Sequence, residues 1–368
     1  MESITLVNYK ILKLNIPLKR PFITSIRSSN SLKGIFYEVL LSDGSVGYGE
    51  SSENIKLTGE SRLQMKRFSK EFLDGHLNVP VEKSISDLKN YPKNIAARYG
   101  LETALIDAMA RHRSEEINEL LNLNLSKRKM ENDTTISILG EQETISETKR
   151  VLKKGYRHIK YKINGDKSEI DRILMLQDYI PNGVSIRIDP NQSWDCKNAM
   201  DFSKELEKSN LNIEFIEQPV KVSQVQLMKR LSISCGIPII ADESVFNLED
   251  AKSVIDKGYG NAINIKLIKC GGPLEAIEIA NYADKKGISC LFGCTTEANI
   301  AMTMASYLSA GLKNVNYIDL DGLDYISDSP FAGGINDSHG VITIPSQNNG
   351  LGITLREDKS NEYITDWL

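Results

Sequence analysis

Three short apolar stretches of the chain each end in a carboxylate: SIRID at Asp189, IEFIE at Glu217 and IPIIAD at Asp242. Hard carboxylate oxygens, with room left for water and substrate oxygens, suit Mg²⁺, and no histidine or thiolate stands at these positions to recruit zinc. One strand-terminal aspartate commonly caps the following helix, but capping does not explain three in the same register. Two lysine-bearing runs flank the set. In RHIKYKING, period-two strand geometry puts His158, Lys160 and Lys162 on one face and Ile159, Tyr161 and Ile163 on the other. Two ammonium groups that close repel each other, which favours the neutral form of one; Lys162, nearest the end of the run, is the candidate base. In AINIKLIKCGG the same alternation sets Asn264 and Lys266 against Ile263, Ile265 and Leu267, so Lys266 is expected to enter from the side roughly opposite Lys162. A lysine on each side of a metal-bound carboxylate is a two-base arrangement, suited to inverting a carbon centre.

These residues can meet only if the runs that carry them end on one rim. From Asn132 onward, the runs TTISI, HIKYKI, VSIRID, IEFIE, IPIIAD, INIKLI, ISCLFG and NYIDLD alternate with helix-sized amphipathic segments, the pattern of parallel strands joined by crossover helices. A closed eight-stranded barrel is the economical solution, and its active site would lie at the C-terminal strand ends. A doubly wound open sheet gives the same alternation but usually announces a Gly-rich phosphate turn after its first strand, and TTISILGEQ has none. Upstream, ITLVNYKILKLNIPL and IFYEVLLSDGSVGYGES read as strands, the second containing a turn at Asp43-Gly44, and residues from Glu60 to about Asn122 carry apolar positions at helical spacing. The expected fold is α/β: a (β/α)7β TIM-like barrel over residues 126–326 beneath an α+β capping domain. Residues 1–125 form that cap, and the tail, 327–368, packs back on it. The tail has no further strand-helix alternation, and its FAGGIND reads as a loop.

Bulk properties narrow the function. With 368 residues, 40% hydrophobic and 26% charged, the composition is that of an ordinary soluble protein, and a net charge of -4 without a basic stripe gives nucleic acid or an anionic membrane little to bind. No window approaches the roughly 18 apolar residues of a membrane helix, and MESITLVNYK lacks a signal-peptide pattern, so a cytoplasmic location is expected. Five cysteines, Cys196, Cys235, Cys270, Cys290 and Cys294, form no C-x-x-C pair and read as packing residues.

Taken together, Lys160-Tyr-Lys162, Asp189-Pro-Asn191, Glu217-Gln-Pro219, Asp242-Glu-Ser244 and Lys266-Leu-Ile-Lys-Cys-Gly-Gly272 resemble the muconate-lactonizing subgroup of the enolase superfamily, a likeness that also takes in the helix GLETALIDAMARHR. Within that subgroup, Asp319-x-Asp321 in NYIDLDG resembles the motif by which dipeptide epimerases hold a substrate α-ammonium; the two carboxylates share a strand face. The resemblance implies one Mg²⁺ per subunit on Asp189, Glu217 and Asp242, supported by Asn191 and Glu243. Lys162 and Lys266 would act on opposite faces of an enediolate, with Lys160 remaining cationic. It also implies a homo-oligomer and a dipeptide substrate, alanyl-glutamate being the expected one. Arg27 would contact the acidic side chain, Thr58 in KLTGES belongs to the other closing loop of the cap, and Thr295, Thr296 and Glu297 stand where alanyl-glutamate epimerases often have apolar residues. N-acylamino acid racemase and o-succinylbenzoate synthase are the alternatives within the same chemistry, with muconate cycloisomerase third; none needs Asp319 and Asp321. A non-catalytic binding protein would require the whole lysine and carboxylate set to be a relic.

Overall fold

The computed structural model describes residues 3–24, 28–346 and 349–367. The chain opens with an antiparallel sheet of β1 (Leu6–Ile23), β2 (Ser28–Leu41) and β3 (Val46–Ser52). The Asp-Gly turn forms as its residues dictate: Asp43 accepts the Ser45 N–H at 3.0 Å and Gly44 takes a φ of 91°. The β1–β2 hairpin is longer than its apolar alternation indicated. Pairing breaks after Pro17, where two prolines within five residues cannot donate to the ladder, and resumes at Phe22 opposite Ser29. That extension carries the end of β1 onto the barrel, where Ile23 N–H meets Ser137 Oγ at 3.2 Å.

Five helices follow: α1 (Ile55–Thr58), α2 (Arg62–Gly75), α3 (Val81–Asp87), α4 (Ile95–Arg113) and α5 (Ile117–Leu120). Ser61 and Gln64 close a capping box at the start of α2. Helix α4 is buried on every side from Ala96 to Ala110, because it lies between the cap sheet and the barrel. The glycines of GYGES permit its approach: a Cβ on Gly47 would stand 2.1 Å from the Ala104 carbonyl oxygen, and one on Gly49 2.0 Å from that of Gly100.

After β4 (Lys129–Glu131), the barrel runs β5 (Asp133–Ile136), α6 (Glu141–Lys153), β6 (His158–Lys162), α7 (Lys167–Met175), β7 (Ser185–Asp189), α8 (Cys196–Glu207), β8 (Asn212–Glu217), α9 (Gln226–Ser234) and β9 (Ile239–Ala241). It continues with α10 (Leu248–Lys257), β10 (Ala262–Ile265), α11 (Leu267–Cys270), α12 (Pro273–Lys285), β11 (Ser289–Gly293), α13 (Asn299–Gly311) and β12 (Val315–Asp319). The eight strands β5 to β12 lie side by side in chain order, the (β/α)7β arrangement expected. The two ends of the sheet meet where Leu320 N–H donates to Asn132 Oδ1 at 3.0 Å and Thr135 N–H to Asp321 Oδ2 at 2.7 Å. Inside, Phe215, Ile240, Ala262 and Leu291 form a small apolar plug. Beside it, over the Phe215 ring, Arg187 bridges Asp133, Glu214 and the Ile318 carbonyl at 2.6–2.7 Å, which satisfies a guanidinium that is 2% exposed.

Within the tail, FAGGIND departs from the expected loop. After α14 (Gly322–Tyr325), the tail contains β13 (Phe331–Gly333), β14 (Asn336–Ser338), β15 (Val341–Thr343), β16 (Ile353–Leu355), α15 (Ser360–Tyr363) and β17 (Ile364–Thr365). FAGGIND is therefore two strand pieces joined at Gly334, β13 pairing with β16 and β14 with β15. These strands are three residues each, too short for alternation to register. The tail does return to the cap, where β17 pairs with β1 and Trp367 Nε1 donates to the Ile11 carbonyl at 2.8 Å, but β15 also pairs with β4 under the barrel. Among the described residues, no helix is long and apolar enough to cross a membrane.

Candidate active site

The strand ends assemble the expected set on one rim. Lys160 and Lys162 end β6, Asp189 ends β7, Glu217 ends β8, Asp242 and Lys266 directly follow β9 and β10, and Asp319 ends β12. Parallel register sets Lys162 opposite Asp189, and its Nζ lies 2.5 Å from Asp189 Oδ2. Lys160 Nζ sits deeper, 2.7 Å from Glu217 Oε2, 2.6 Å from Asp319 Oδ2 and 3.1 Å from Asp189 Oδ2. Lys266 Nζ is 2.6 Å from Asp242 Oδ2 and 3.8 Å from Glu217 Oε1. All seven side chains are buried. Strand β10 stands four places from β6 in the eight-stranded order, half the circumference away, so the two outer lysines face each other across the carboxylates.

Glycine and left-handed backbone make room for this crowding. A Cβ on Gly293 would meet Asn264 Oδ1 at 2.7 Å and Lys266 Cε at 2.9 Å. Asn191, Gln192 and Gln218 all have positive φ, between 34° and 67°, strain of the kind that collects at functional sites. In that conformation Asn191 N–H donates to Asp189 Oδ1 at 2.8 Å, and Asn191 Nδ2 points to Glu243 Oε1 at 3.5 Å, which links the two supporting residues named from the sequence.

Charge follows geometry. Burial raises the proton affinity of Asp242, but Lys266 and Lys269 more than offset it and hold its pKa below the ordinary value; Lys162 and Lys160 do the same for Asp189. Burial pushes Glu217 up to about 7, with Lys160 opposing and the carboxylates of Asp189 and Asp242 adding to the rise. Burial, then Asp242 and Asp189, raises Glu243 to about 8, and its Oε2 is buried without a hydrogen-bond partner among the described residues. Burial opposes the charge of Lys160, yet Asp319, Glu217 and Asp189 keep its pKa well above the usual lysine value; Asp242 and Glu217 act likewise on Lys266. Carboxylates that raise one another's proton affinity, with an orphaned buried oxygen beside them, form an oxygen donor set that fits a hard divalent cation. Deeper in the barrel, Asp133, Asp319 and Asp321 also bring one oxygen each within 4.8 Å of one another, a grouping that could hold a metal ion.

Asp319 and Asp321 do different work. Burial acts on both, but Lys160 draws Asp319 down to about 2, whereas burial and the neighbouring Asp319 charge lift Asp321 to about 6. Asp321 spends Oδ2 on the Thr135 N–H and turns Oδ1 toward the Cys294 thiol, 3.8 Å away.

Over the lysines lies a cavity of about 110 Å³ whose barrel wall includes Lys162, Asp242, Lys266, Thr295 and Thr296, and whose cap wall includes Phe22, Thr24, Asn54, Lys56 and Leu57. Ser52 of the cap meets Thr295 at 3.1 Å. Glu297 stands behind this wall, accepting the Thr295 N–H at 2.9 Å. Thr58 is turned into its own helix, with its hydroxyl on the Asn54 carbonyl at 3.2 Å, and its neighbours line the cavity instead. Arg27 lies outside the described residues. Sequence reasoning passed over Gln218 and Lys269. Gln218 Oε1 accepts the N–H groups of Asp242 and Ser244, and Lys269 Nζ lies 2.6 Å from Asp242 Oδ1. Both sit inside the motifs quoted above, and the signal was a polar residue where a buried turn has no other partner for its backbone.

Comparison with known proteins agrees with this geometry. The chain is 32% identical over 360 residues to the L-Ala-D/L-Glu epimerase of Francisella tularensis subsp. novicida, covering 95% of this chain and 99% of that one. A substrate-liganded L-Ala-D/L-Glu epimerase from Bacillus subtilis superposes with a TM-score of 0.90 at 28% identity over 95% of this chain and 98% of that one. A dipeptide epimerase from Enterococcus faecalis, complexed with Mg and L-Leu-L-Tyr, gives 0.89 at 28% identity over 96% and 100%. The family model described as enolase C-terminal domain-like matches residues 143–359, most of the barrel and most of the tail, and the chain belongs to that family.

Proposed function

We propose that the chain is a Mg²⁺-dependent dipeptide epimerase that inverts the α-carbon of a C-terminal residue, with L-Ala-L-Glu and L-Ala-D-Glu as the substrate pair. The observation that carries this reading is the opposition of Lys162 and Lys266 across three buried carboxylates. Asp189, Glu217 and Asp242 would hold the metal, one ion per subunit, which when bound supplies positive charge against the negative charge that develops as the α-proton leaves.

The rest is done by the chain. Lys162 Nζ takes the proton from one face of the substrate carbon and Lys266 Nζ returns one to the other, their roles exchanging with direction. Each lysine is ion-paired to a carboxylate of the metal set, Lys162 to Asp189 and Lys266 to Asp242, so each must be released by its partner when it takes a proton. Lys160, fixed by three carboxylates, stays cationic and adds charge beneath the enediolate. Asp321 pairs with the substrate ammonium, a role that N-acylated substrates leave empty, and the wall of Thr295 and Thr296, with Glu297 behind it, bounds the side chain. On this reading the enzyme is a homo-oligomer of the cytoplasm, where unpaired Cys235, Cys270, Cys290 and Cys294 stay reduced.

The test is deuterium uptake at the α-carbon of L-Ala-L-Glu in deuterated water, read by mass spectrometry together with the L/D ratio. Exchange with epimerisation is expected, and both should stop when a chelator removes divalent metal. Full turnover in excess chelator, after metal analysis confirms removal, would refute the metal-assisted reading.

A further inference from the structure

Behind the threonine wall of the cavity, the loop between β11 and α13 is fastened to the cap by carboxylates. From β3, Glu50 Oε1 accepts the Ala298 N–H at 2.6 Å, and two residues on, Ser52 Oγ meets Thr295 Oγ1 at 3.1 Å. Within the loop, Glu297 Oε2 accepts the Thr295 N–H at 2.9 Å. Each glutamate is left with one oxygen to spare: Glu50 Oε2 and Glu297 Oε1 are both buried without a hydrogen-bond partner among the described residues. The two residues are only 2% and 3% exposed, and among the described residues neither forms an ion pair. The other titratable groups that face them do not supply a countercharge. Burial holds the Tyr99 hydroxyl of α4 and the Cys294 thiol of the same loop in their neutral forms, and the Lys266 ammonium is engaged by Asp242. Two ionised carboxylates left unpaired in such a place would lose far more solvation than their backbone hydrogen bonds return. One proton satisfies both spare oxygens, because a carboxylic acid has the O–H donor that a carboxylate lacks. Burial pushes Glu50 up to about 8, with the Ala298 N–H opposing and the Glu297 charge adding to the rise, and burial raises Glu297 as well.

We propose that Glu50 and Glu297 share a single proton across the seam between cap and barrel, Glu50 Oε2 donating to Glu297 Oε1, and that this pair is the positioning device for the Thr295–Thr296 wall. The role of the wall rests on the epimerase reading; the proton is a property of the fold alone. When the proton leaves, two like charges face each other at the buried seam and press the loop away from the cap, while Lys162 and the metal set stand on other strands. Glu50 keeps its proton in the folded chain to about 8 but would lose it near the ordinary carboxyl value when unfolded. The stability it lends is therefore complete below that ordinary value and is lost as pH rises through about 8.

The experiment compares wild type with Glu50→Gln, Glu50→Leu and Glu297→Gln. Glutamine imitates the neutral acid, its carbonyl accepting the Ala298 N–H and its amide donating to Glu297; leucine can do neither. The infrared difference spectrum of wild type against Glu50→Gln at neutral pH should show the C=O band of a carboxylic acid that belongs to wild type. Between about pH 7 and about pH 9 the melting temperature should fall further in wild type than in Glu50→Gln. Over the same interval the KM for L-Ala-L-Glu should rise several-fold in wild type with little change in kcat, and stay level in the variant. At neutral pH Glu50→Leu should raise that KM several-fold, where Glu50→Gln does not. Glu297→Gln, which keeps the fold if leucine does not, removes the charge that raises Glu50 and should move the alkaline rise to lower pH. A difference spectrum without the acid band overturns the shared proton, and KM courses that coincide in wild type and Glu50→Gln overturn the positioning role. A wild type that shows the band yet exchanges the α-proton of no dipeptide leaves the shared proton standing and overturns the epimerase reading.

Discussion

Replacing Asp321 by asparagine removes one negative charge while preserving shape. The amide oxygen can still accept the Thr135 N–H that Asp321 Oδ2 now holds at 2.7 Å, so the junction between β12 and β5 survives. What disappears, on the proposed reading, is the countercharge for a substrate ammonium. The carboxylate is 5% exposed, which places the pairing at the desolvated end of the range. Truncating one partner of such a pair costs about 2–5 kcal/mol, or about 30- to 4,000-fold at 1.4 kcal/mol per tenfold. Asp319 cannot substitute, because Lys160 holds its Oδ2 at 2.6 Å. The assay is kcat/KM for L-Ala-L-Glu and for its N-acetyl derivative, the second lacking the ammonium. A loss of at least 30-fold is expected for the free-amino substrate and less than about threefold for the acetylated one, whose neutral amide draws little from a charge. Acidity gives a second readout. Burial, then Asp319, raises Asp321 to about 6, so it takes up a proton as pH falls through that value. Wild-type kcat/KM for free-amino dipeptides should therefore drop on the acid side of about 6, and the variant should lose that limb. Equal losses on both substrates would show that Asp321 does not read the ammonium.

Two further outcomes follow from the geometry. Lys162→Ala and Lys266→Ala should each abolish epimerisation, yet in deuterated water each should still exchange the α-proton of the one epimer that faces its surviving lysine, as read by mass spectrometry; a single mutant that exchanges both epimers would point to one mobile base. Gly49→Ala should lower thermal stability, since its Cβ would stand 2.0 Å from the Gly100 carbonyl oxygen and forcing such contacts apart costs about 1–3 kcal/mol; an unchanged melting temperature by calorimetry would mean that the contact between β3 and α4 gives way freely.

The rim was legible because each polar residue that ends an apolar run is displayed by strand period alone. Asp189, Glu217 and Lys266 needed nothing more, and alternation turned Lys160 and Lys162 inward correctly. Residues whose importance depends on a partner far along the chain left weaker marks. Lys269 is three positions from Lys266 but acquires a role only because α11 folds its ammonium back to Asp242 across β9. Asp133 begins the first barrel strand, and only barrel closure brings it beside Asp319 and Asp321. Thr58 was named in the correct loop, but helical direction within α1 turned Lys56, two residues earlier, to the cavity instead. Within the tail, FAGGIND was misread as loop because three-residue strands have too few positions to show a period, and their partners are fixed by the rest of the fold.

The seam between cap and barrel bears on how such an enzyme could change its diet. Glu50, at the end of the cap sheet, accepts the Ala298 N–H at 2.6 Å where α13 begins, and Glu102 of α4 accepts the Leu274 N–H at 2.7 Å where α12 begins. Swinging the whole cap aside would strip two helix starts of their acceptors at once. Traffic into the site must therefore pass by the end of β1 and the α1 turn, segments that carry no proton-transferring residue. Mutation can reshape that doorway and leave the machinery behind it untouched, which gives one scaffold a cheap route to many dipeptides.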